Sequence, residues 1–425
     1  MMNILLALRQ PLVPADTGGK VRSLNIVSRL AKRASIHAIS FADAVHDAAS
    51  ISQMKDLFDG YTPVFWCEKE KYSAGFYGEV LASQLGSWPY FLSKCNQPEF
   101  LATAQSLIAR RRFDLVFCDF LHTAAPLLSL AAEPKVVFEH NVEFLLRKRK
   151  WECERNALRR WVFGNEWRKT ETIEASVCRR FDHVLAVSDD DRETMRREFG
   201  VCNVSVLPTG VDTDFFRPVG GVTPPRPGQL VFVGSMDWDP NEDGVIWFLR
   251  EIYPRIRQAM PRASFTIVGR SPSSSLRSLA AAADVEVTGS VPDVRPYLAR
   301  AEIAVVPLRV GGGTRIKIPE AMAMSRPVVS TTIGAEGLPF RPGRELCLAD
   351  NPDDFAETVL ALLRDEPLRT AMGAAARKTV VEKHGWDAVV DKVEAVLDQV
   401  ISRAACGARP EHRPSPSLQT TGISA

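Results

Sequence analysis

The chain reads as α/β, with two doubly wound domains of similar construction joined by a hinge. Three observations predict this. Short apolar runs alternate with longer helical stretches along most of the 425 residues. Most of those runs are apolar throughout, as strands covered on both faces should be. The alternation breaks once, at residues 216–228, a run so rich in proline and glycine that it fits neither a helix nor a central strand. A chain this long also needs more than one core.

In order, the first half predicts strands over 3–8, 36–41, 114–118, 135–139, 183–187 and 204–207, with helices over 19–32, 98–111 and 189–198 between them. The second half predicts strands over 229–234, 264–268, 285–288, 303–306, 327–330 and 346–348, with helices over 241–258, 353–363 and 367–383. Strands separated by helices of this length imply parallel sheets with right-handed crossovers. The expected organisation is a first domain over 1–214, a linker over 215–228, a second domain over 229–385, a helix over 386–402 and a disordered tail over 403–425. Ligands of such sheets bind beyond the carboxyl ends of the strands, so a hinge between two of them implies an interdomain cleft.

Composition narrows the function. Hydrophobic content of 45%, charged content of 24% and a formal net charge of +2 fit a soluble globular protein and give no reason to expect nucleic acid. The eight cysteines are scattered without a Cys-x-x-Cys pair, so reduced thiols are expected, with neither a zinc site nor a disulfide framework. The first residues lack a basic segment before their apolar run and read as a strand rather than a leader. A cytoplasmic location follows.

The most informative stretch runs from Gly311 to Met324. It follows the apolar run 303–306, and its three glycines let backbone approach a ligand closely. Arg315 and Lys317 add two cations, and Pro319 suits the first turn of a helix. Glycine loop, cations and helix start describe a seat for a diphosphate. Glu320 is placed to accept hydrogen bonds from a ribose diol. Other candidates lie at predicted strand ends: Gly18 and Gly19 before the first helix, and His140 after the strand 135–139. Asn241 either caps the helix after the strand 229–234 or contacts the ligand. Residues 144–169 carry nine cations against three acids with tryptophans interleaved. They read either as a solvated helical face with aromatics inward or as a surface for anionic lipid.

The motifs in order resemble the bacterial glycosyltransferases of family 4. They are 233–241 (VGSMDWDPN), 267–270 (IVGR), 287–298, the glycine loop, 326–332 and 334–338, with 14–22, 139–143 (EHNVE), 186–188 and 208–212 in the first half. That resemblance implies the GT-B architecture, two facing Rossmann-like domains, and transfer of a sugar from a nucleotide sugar to a hydroxyl with retention. It implies catalytic roles for His140, Arg315, Lys317 and Glu320. Donor contacts follow at Gly18, Gly19, Gly234, Asp237, Gly269, Val291, Gly312, Gly313 and Thr314. Asp16 and Glu143 are the acceptor-side candidates, and Asp293 and Arg295 sit where the family places the nucleobase.

Two departures stand out. The family's paired glutamates survive only as Glu320, with Gly312 at the partner position, and its Arg and Lys after the strand 229–234 are missing, leaving Arg315 and Lys317 to supply that charge. No acidic metal motif is evident, so no cofactor or metal is expected, and the implied partners are a nucleotide sugar and a glycan or lipid-linked acceptor. A nicotinamide oxidoreductase is disfavoured because Gly-x-Gly-x-x-Gly is absent from the first turn. A nucleotide-sugar 2-epimerase and a non-catalytic sugar-nucleotide binder stay open.

Overall fold

The computed structural model describes residues 1–69, 73–132, 134–218, 225–310 and 316–407. It forms two compact units, one of Met1–Leu207 with Val390–Ala425 and one of Pro208–Val389.

The first unit is built on a seven-stranded parallel sheet. Its strands are β1 (Asn3–Leu8), β2 (Ser35–Ala42), β3 (Gly60–Phe65), β4 (Leu115–Asp119), β5 (Lys135–Phe138), β6 (His183–Ala186) and β7 (Val204–Val206), in spatial order 3-2-1-4-5-6-7. Leu5, Ala7, Val116, Cys118, Val137 and Val184 bury one core among these strands and the helices that cover them. Helix starts follow local chemistry. Thr17 caps the helix Gly18–Leu30, and Ser188 caps Asp189–Phe199, whose first turn holds three aspartates. Gly200 in the left-handed region ends the latter.

The second unit carries a six-stranded parallel sheet. Its strands are β8 (Gln229–Val233), β9 (Ser264–Val268), β10 (Glu286–Val287), β11 (Ile303–Val306), β12 (Val328–Ser330) and β13 (Cys347–Leu348), in order 10-9-8-11-12-13. Both sheets thus reverse their strand order once, between β1 and β4 and between β8 and β11, the positions where doubly wound folds place ligands.

Several expectations are corrected. The strand β3 escaped prediction because Pro63 interrupts it; β3 is an edge strand, where proline is tolerated. The helix expected over 241–258 is three pieces, Asp239–Trp247, a π turn Phe248–Ile252, and Tyr253–Ala259. Pro254 has no N–H to donate and its ring crowds the preceding turn, which widens. Residues 208–214 fall in the second unit rather than the first. The Val211 amide donates to the His384 carbonyl at 2.7 Å, and His384 donates to the Thr209 carbonyl at 3.3 Å. The last helix, Trp386–Ala405, continues into the predicted tail, and from Val390 it belongs to the first unit. Arg33 holds it through Asp391 at 2.5 Å and Glu394 at 2.9 Å. No described helix is long and apolar enough to cross a membrane.

Candidate functional site

In the first unit, the strand-order reversal gathers a small polar cluster. The loop after β1 supplies Arg9 and Gln10, the end of β4 supplies Asp119 and Phe120, and the Gly18–Leu30 helix supplies its first turn. Together with Leu12, Thr17, Gly19 and Lys20 they line a pocket of about 180 Å³. Arg9 and Lys20 make its mouth cationic. Lys20 pairs with Asp16 at 3.1 Å, which holds that carboxyl below the usual range. Asp16 therefore steadies the lysine at the start of this helix.

His140 lies behind this pocket, buried beyond the end of β5. Its Nε2 lies 2.8 Å from Asp119 Oδ1, while Ser23 Oγ donates to Asp119 Oδ2 at 2.7 Å. A carboxylate accepts, so Nε2 donates and Nδ1 keeps a bare lone pair. Nδ1 is buried and has no partner among the described residues. Burial pushes the imidazole pKa down against the pull of Asp119, so the ring is neutral at pH 7. Buried Arg22 adds a positive charge near Asp119, its own pKa lowered by desolvation only to about 10.

Phe120 joins the helix start to the histidine. Its ring stacks on His140 with centroids 3.7 Å apart, and a Cβ built on Gly19 would lie 2.9 Å from its Cζ. Its backbone sits at φ 72°, ψ 154°, a region populated almost only by glycine. Neither Asp119 nor Phe120 was a sequence candidate. The only local signal is an acid at the carboxyl end of an apolar strand.

Glu143 is buried in the first turn of the helix Glu143–Cys153 and pairs with Arg147 at 3.2 Å. The amides of Glu143 and Phe144 donate to Glu174 at 2.8 and 2.7 Å. Burial raises the Glu143 carboxyl pKa and pushes that of Glu174 up to about 8. Glu143 thus belongs to a buried acidic group that starts a helix, and it is not brought to the pocket.

In the second unit, the reversal between β8 and β11 is occupied by Lys317 and Asn241. Lys317 opens the helix Lys317–Ala323, two residues ahead of Pro319. Its ammonium donates to Asn241 Oδ1 and lies 5.0 Å from the Phe232 ring and 5.6 Å from the Trp238 ring. Asn241 does not cap a helix. It sits inside Asp239–Trp247, buried, with Nδ2 donating to the Ser235 carbonyl at 2.7 Å. One amide therefore ties the loop after β8 to the cation from beyond β11.

Gly234 and Gly269 end β8 and β9 back to back. A Cβ at Gly269 would lie 1.8 Å from the Gly234 carbonyl oxygen, so packing alone requires glycine there. Beside them Ser235 donates to Asp237 at 2.5 Å, and Arg270 donates to both at 2.7 and 3.1 Å. The hydrogen bond from Ser235 is the main cause of a lowered Asp237 pKa. Arg270, a further cation at the strand ends, was not singled out from sequence. Glu320 is partly buried, and desolvation pushes its carboxyl up to about 8 against the pull of Lys317. Val291 packs partly against the core, and Arg295 clamps Asp293 at 2.8 Å while covering the Phe215 ring at 3.7 Å. Gly312, Gly313, Thr314 and Arg315 lie outside the described residues. Among the described residues no group of three or more His, Cys, Asp or Glu is arranged to hold a metal ion.

Comparison with known proteins matches both halves. Residues 227–365 match the family model of glycosyl transferases group 1, and residues 59–215 match that of glycosyltransferase family 4. The GDP-mannose-dependent alpha-(1-6)-phosphatidylinositol monomannoside mannosyltransferase of Mycobacterium tuberculosis is 29% identical over 253 residues, 53% of this chain and 65% of its own length. A 44.6 kDa protein of the cps region of Klebsiella pneumoniae is 22% identical over 260 residues, 59% of this chain and 65% of its own. The chain thus spans about 65% of the length of these curated relatives. Among solved structures, sucrose-phosphate synthase of Thermosynechococcus elongatus superposes with a TM-score of 0.66 at 15% identity, covering 95% of this chain and 100% of that one. Anabaena HepE in complex with UDP and glucose gives 0.63 at 14% identity over 94% of this chain and 100% of that one. At such identities the likeness concerns fold: two Rossmann-like domains of the GT-B type.

Proposed function

We propose that this chain, a GT-B protein with glycosyltransferase domains in both halves, moves a sugar from a nucleoside-diphosphate sugar to a hydroxyl group. The acceptor is a glycan or lipid-linked glycan of polysaccharide or glycolipid assembly, and transfer retains the anomeric configuration. The kinship with a mannosyltransferase acting on a phosphatidylinositol mannoside supports a glycolipid acceptor.

The observation that carries this reading is the Lys317–Asn241 pair at the strand-order reversal of the second unit. An ammonium fixed there by an amide and flanked by two aromatic rings is organised before any ligand arrives. As the bond from sugar to diphosphate breaks, negative charge grows on the leaving oxygens. A cation already in position stabilises that charge without reorganisation. Arg315 is assigned the same work, and Glu320, once ionised, accepts the hydroxyls of a ribose. In the first unit the bare Nδ1 of His140 accepts a hydrogen bond from a sugar hydroxyl, with Asp119 fixing the tautomer. The cationic mouth formed by Arg9 and Lys20 favours an anionic group. We assign charge neutralisation to these side chains rather than to a metal, and expect turnover to survive chelation of divalent ions.

A thermal-shift panel of UDP-, GDP- and ADP-sugars tests the donor assignment, since a ligand that binds the native state raises its melting temperature. Proton NMR of the product from the donor that binds then reads the anomeric configuration. No shift with any nucleotide sugar would remove the proposal. A shift without transfer to any acceptor, or 2-epimerised sugar without acceptor, would reassign the chemistry.

A further inference from the structure

The helix Ala74–Leu85 is built the wrong way round for a helix that faces water. Its exposed positions are Ala74, Tyr77, Gly78, Leu81, Ala82 and Leu85, a continuous stripe at helical spacing without one charge. Tyr77 is 58% exposed, Leu81 66% and Leu85 88%. Glu79 is the only charged residue of the helix, and it is held by Lys69 at 3.0 Å. Phe76 packs inward against Tyr90.

The stripe continues onto a second element. Lys169 donates to the Ser83 and Gln84 carbonyls at 2.6 and 3.0 Å, and Gln84 donates to Glu166 at 3.2 Å. These bonds seat the end of the first helix on the helix Ala157–Arg180. Asn165 also donates to Gln84 at 3.4 Å; Trp161 lies one turn before Asn165 and Leu158 one turn before Trp161, so both continue from the anchoring side. Leu158 is 72% exposed and Trp161 57%.

The other aromatics of residues 144–169 behave differently. Trp151 and Trp167 pack on each other in a tilted pair with centroids 5.0 Å apart, Arg160 covers Trp151 and Lys150 covers Phe163. They are used inside the helix pair, and only Trp161 joins the surface. Among residues 149–160, Arg149, Lys150, Arg155, Arg159 and Arg160 are exposed, against one exposed acid, Glu152.

We infer that the Tyr77–Leu81–Leu85 stripe, with Leu158 and Trp161, docks this protein on an anionic lipid surface. Apolar side chains enter the acyl boundary while the arginines of the neighbouring helix meet the headgroups. Charge decides the occupant. A second copy meeting this face about a two-fold axis would set the same cations against each other, whereas anionic lipid neutralises them. The inference does not depend on sugar transfer, and its test needs no donor.

The full chain is sedimented with vesicles of phosphatidylglycerol and cardiolipin and with vesicles of phosphatidylcholine, at low and high salt. Binding to the anionic vesicles that weakens with salt is expected. Leu81→Glu with Leu85→Glu should lower it on the order of tenfold or more, with an unchanged melting temperature because both residues are exposed. Arg155→Glu with Arg159→Glu should lower binding several-fold and flatten its salt dependence. The inference fails if the parent protein does not sediment with anionic vesicles, or if Leu81→Glu with Leu85→Glu sediments as well as the parent. It also fails if the protein is a dimer in solution that this double variant splits, since the stripe then serves a second copy.

Discussion

Replacing Lys317 by Met keeps the length of the side chain and removes its charge. The structural cost is bounded by what the ammonium touches. It gives up the hydrogen bond to Asn241 and the attraction of the Phe232 and Trp238 rings, about 2–3 kcal/mol together. Met fills the same space between two aromatic rings and recovers part of that, so the variant should fold. The catalytic cost is larger in proportion. A unit charge about 4 Å from a departing phosphate oxygen is worth about 4 kcal/mol at an effective dielectric near 20. If about half a charge develops there in the transition state, the barrier rises about 2 kcal/mol, or about 30-fold. Single fixed donors to developing oxyanions have cost about 100- to 1,000-fold elsewhere, so 30-fold is the lower bound. The assay is release of nucleoside diphosphate at saturating donor, with urea unfolding run beside it. A kcat within threefold of the parent, on a protein that unfolds normally, would refute the assignment of this lysine to leaving-group stabilisation.

Three further outcomes follow from the same geometry. Gly19→Val drives a side chain into the Phe120 ring that packs on His140, and kcat/KM should fall about tenfold or more with little loss of fold; parental kinetics would show that the contact is incidental. Asp119→Asn replaces with an NH2 one of the two oxygens that accept from His140 and Ser23, so the imidazole tautomer is no longer fixed, turnover should drop about tenfold or more while the melting temperature moves little, and nitrogen NMR of His140 should report the exchange of tautomers. Glu320, with its carboxyl pushed up to about 8, is mostly protonated at pH 7. If the carboxylate receives the ribose, kcat/KM should climb with pH through about 8, and Glu320→Gln should abolish that limb. Its raised pKa means that the folded state holds an extra proton, so its stabilising contribution is complete below about pH 4.5 and is lost as pH rises through 8; denaturant titration of parent and Glu320→Gln across that window reads it.

Much of the fold was legible because parallel strands covered on both faces are uniformly apolar. Ile303-Ala304-Val305-Val306 and Ser264-Phe265-Thr266-Ile267-Val268 stand out from their surroundings for that reason. Gly60–Phe65 does not, since an edge strand needs less apolar surface and can hold Pro63. Lys317 was legible as a cation between a glycine loop and a helix start. Its partner Asn241 stayed open between a cap and a ligand contact, because the bond from Lys317 to Asn241 spans 76 residues and local preference knows nothing of it. The surroundings of Glu143 were hidden for a similar reason: its neighbour Glu174 becomes visible only when two helices pair. The stripe on Ala74–Leu85 also escaped notice, since apolar residues at helical spacing ordinarily signal a buried face.

Phe120 shows why the first unit's cluster behaves as one body. Holding a phenylalanine at φ 72°, ψ 154° costs about 1–3 kcal/mol, which only surrounding structure can sustain. Hydrogen bonds fix the backbone around it: the Phe120 amide donates to the Phe138 carbonyl at 2.9 Å, Thr123 Oγ1 donates to the Asp119 and Phe120 carbonyls at 2.9 and 3.1 Å, and the Thr123 and Ala124 amides donate to the Phe120 carbonyl at 3.2 and 3.3 Å. The consequence is directional. With the chain turned this way at the end of β4, the Asp119 carboxylate reaches His140 while the next ring stacks on the same imidazole. A relaxed backbone at position 120 would aim one group or the other elsewhere. Gly19 is small for that ring, the ring lies flat for the histidine, and the aspartate sets the proton of the histidine. The strain is thus the means by which the start of the Gly18–Leu30 helix is packed, through Phe120, against the neutral imidazole of His140.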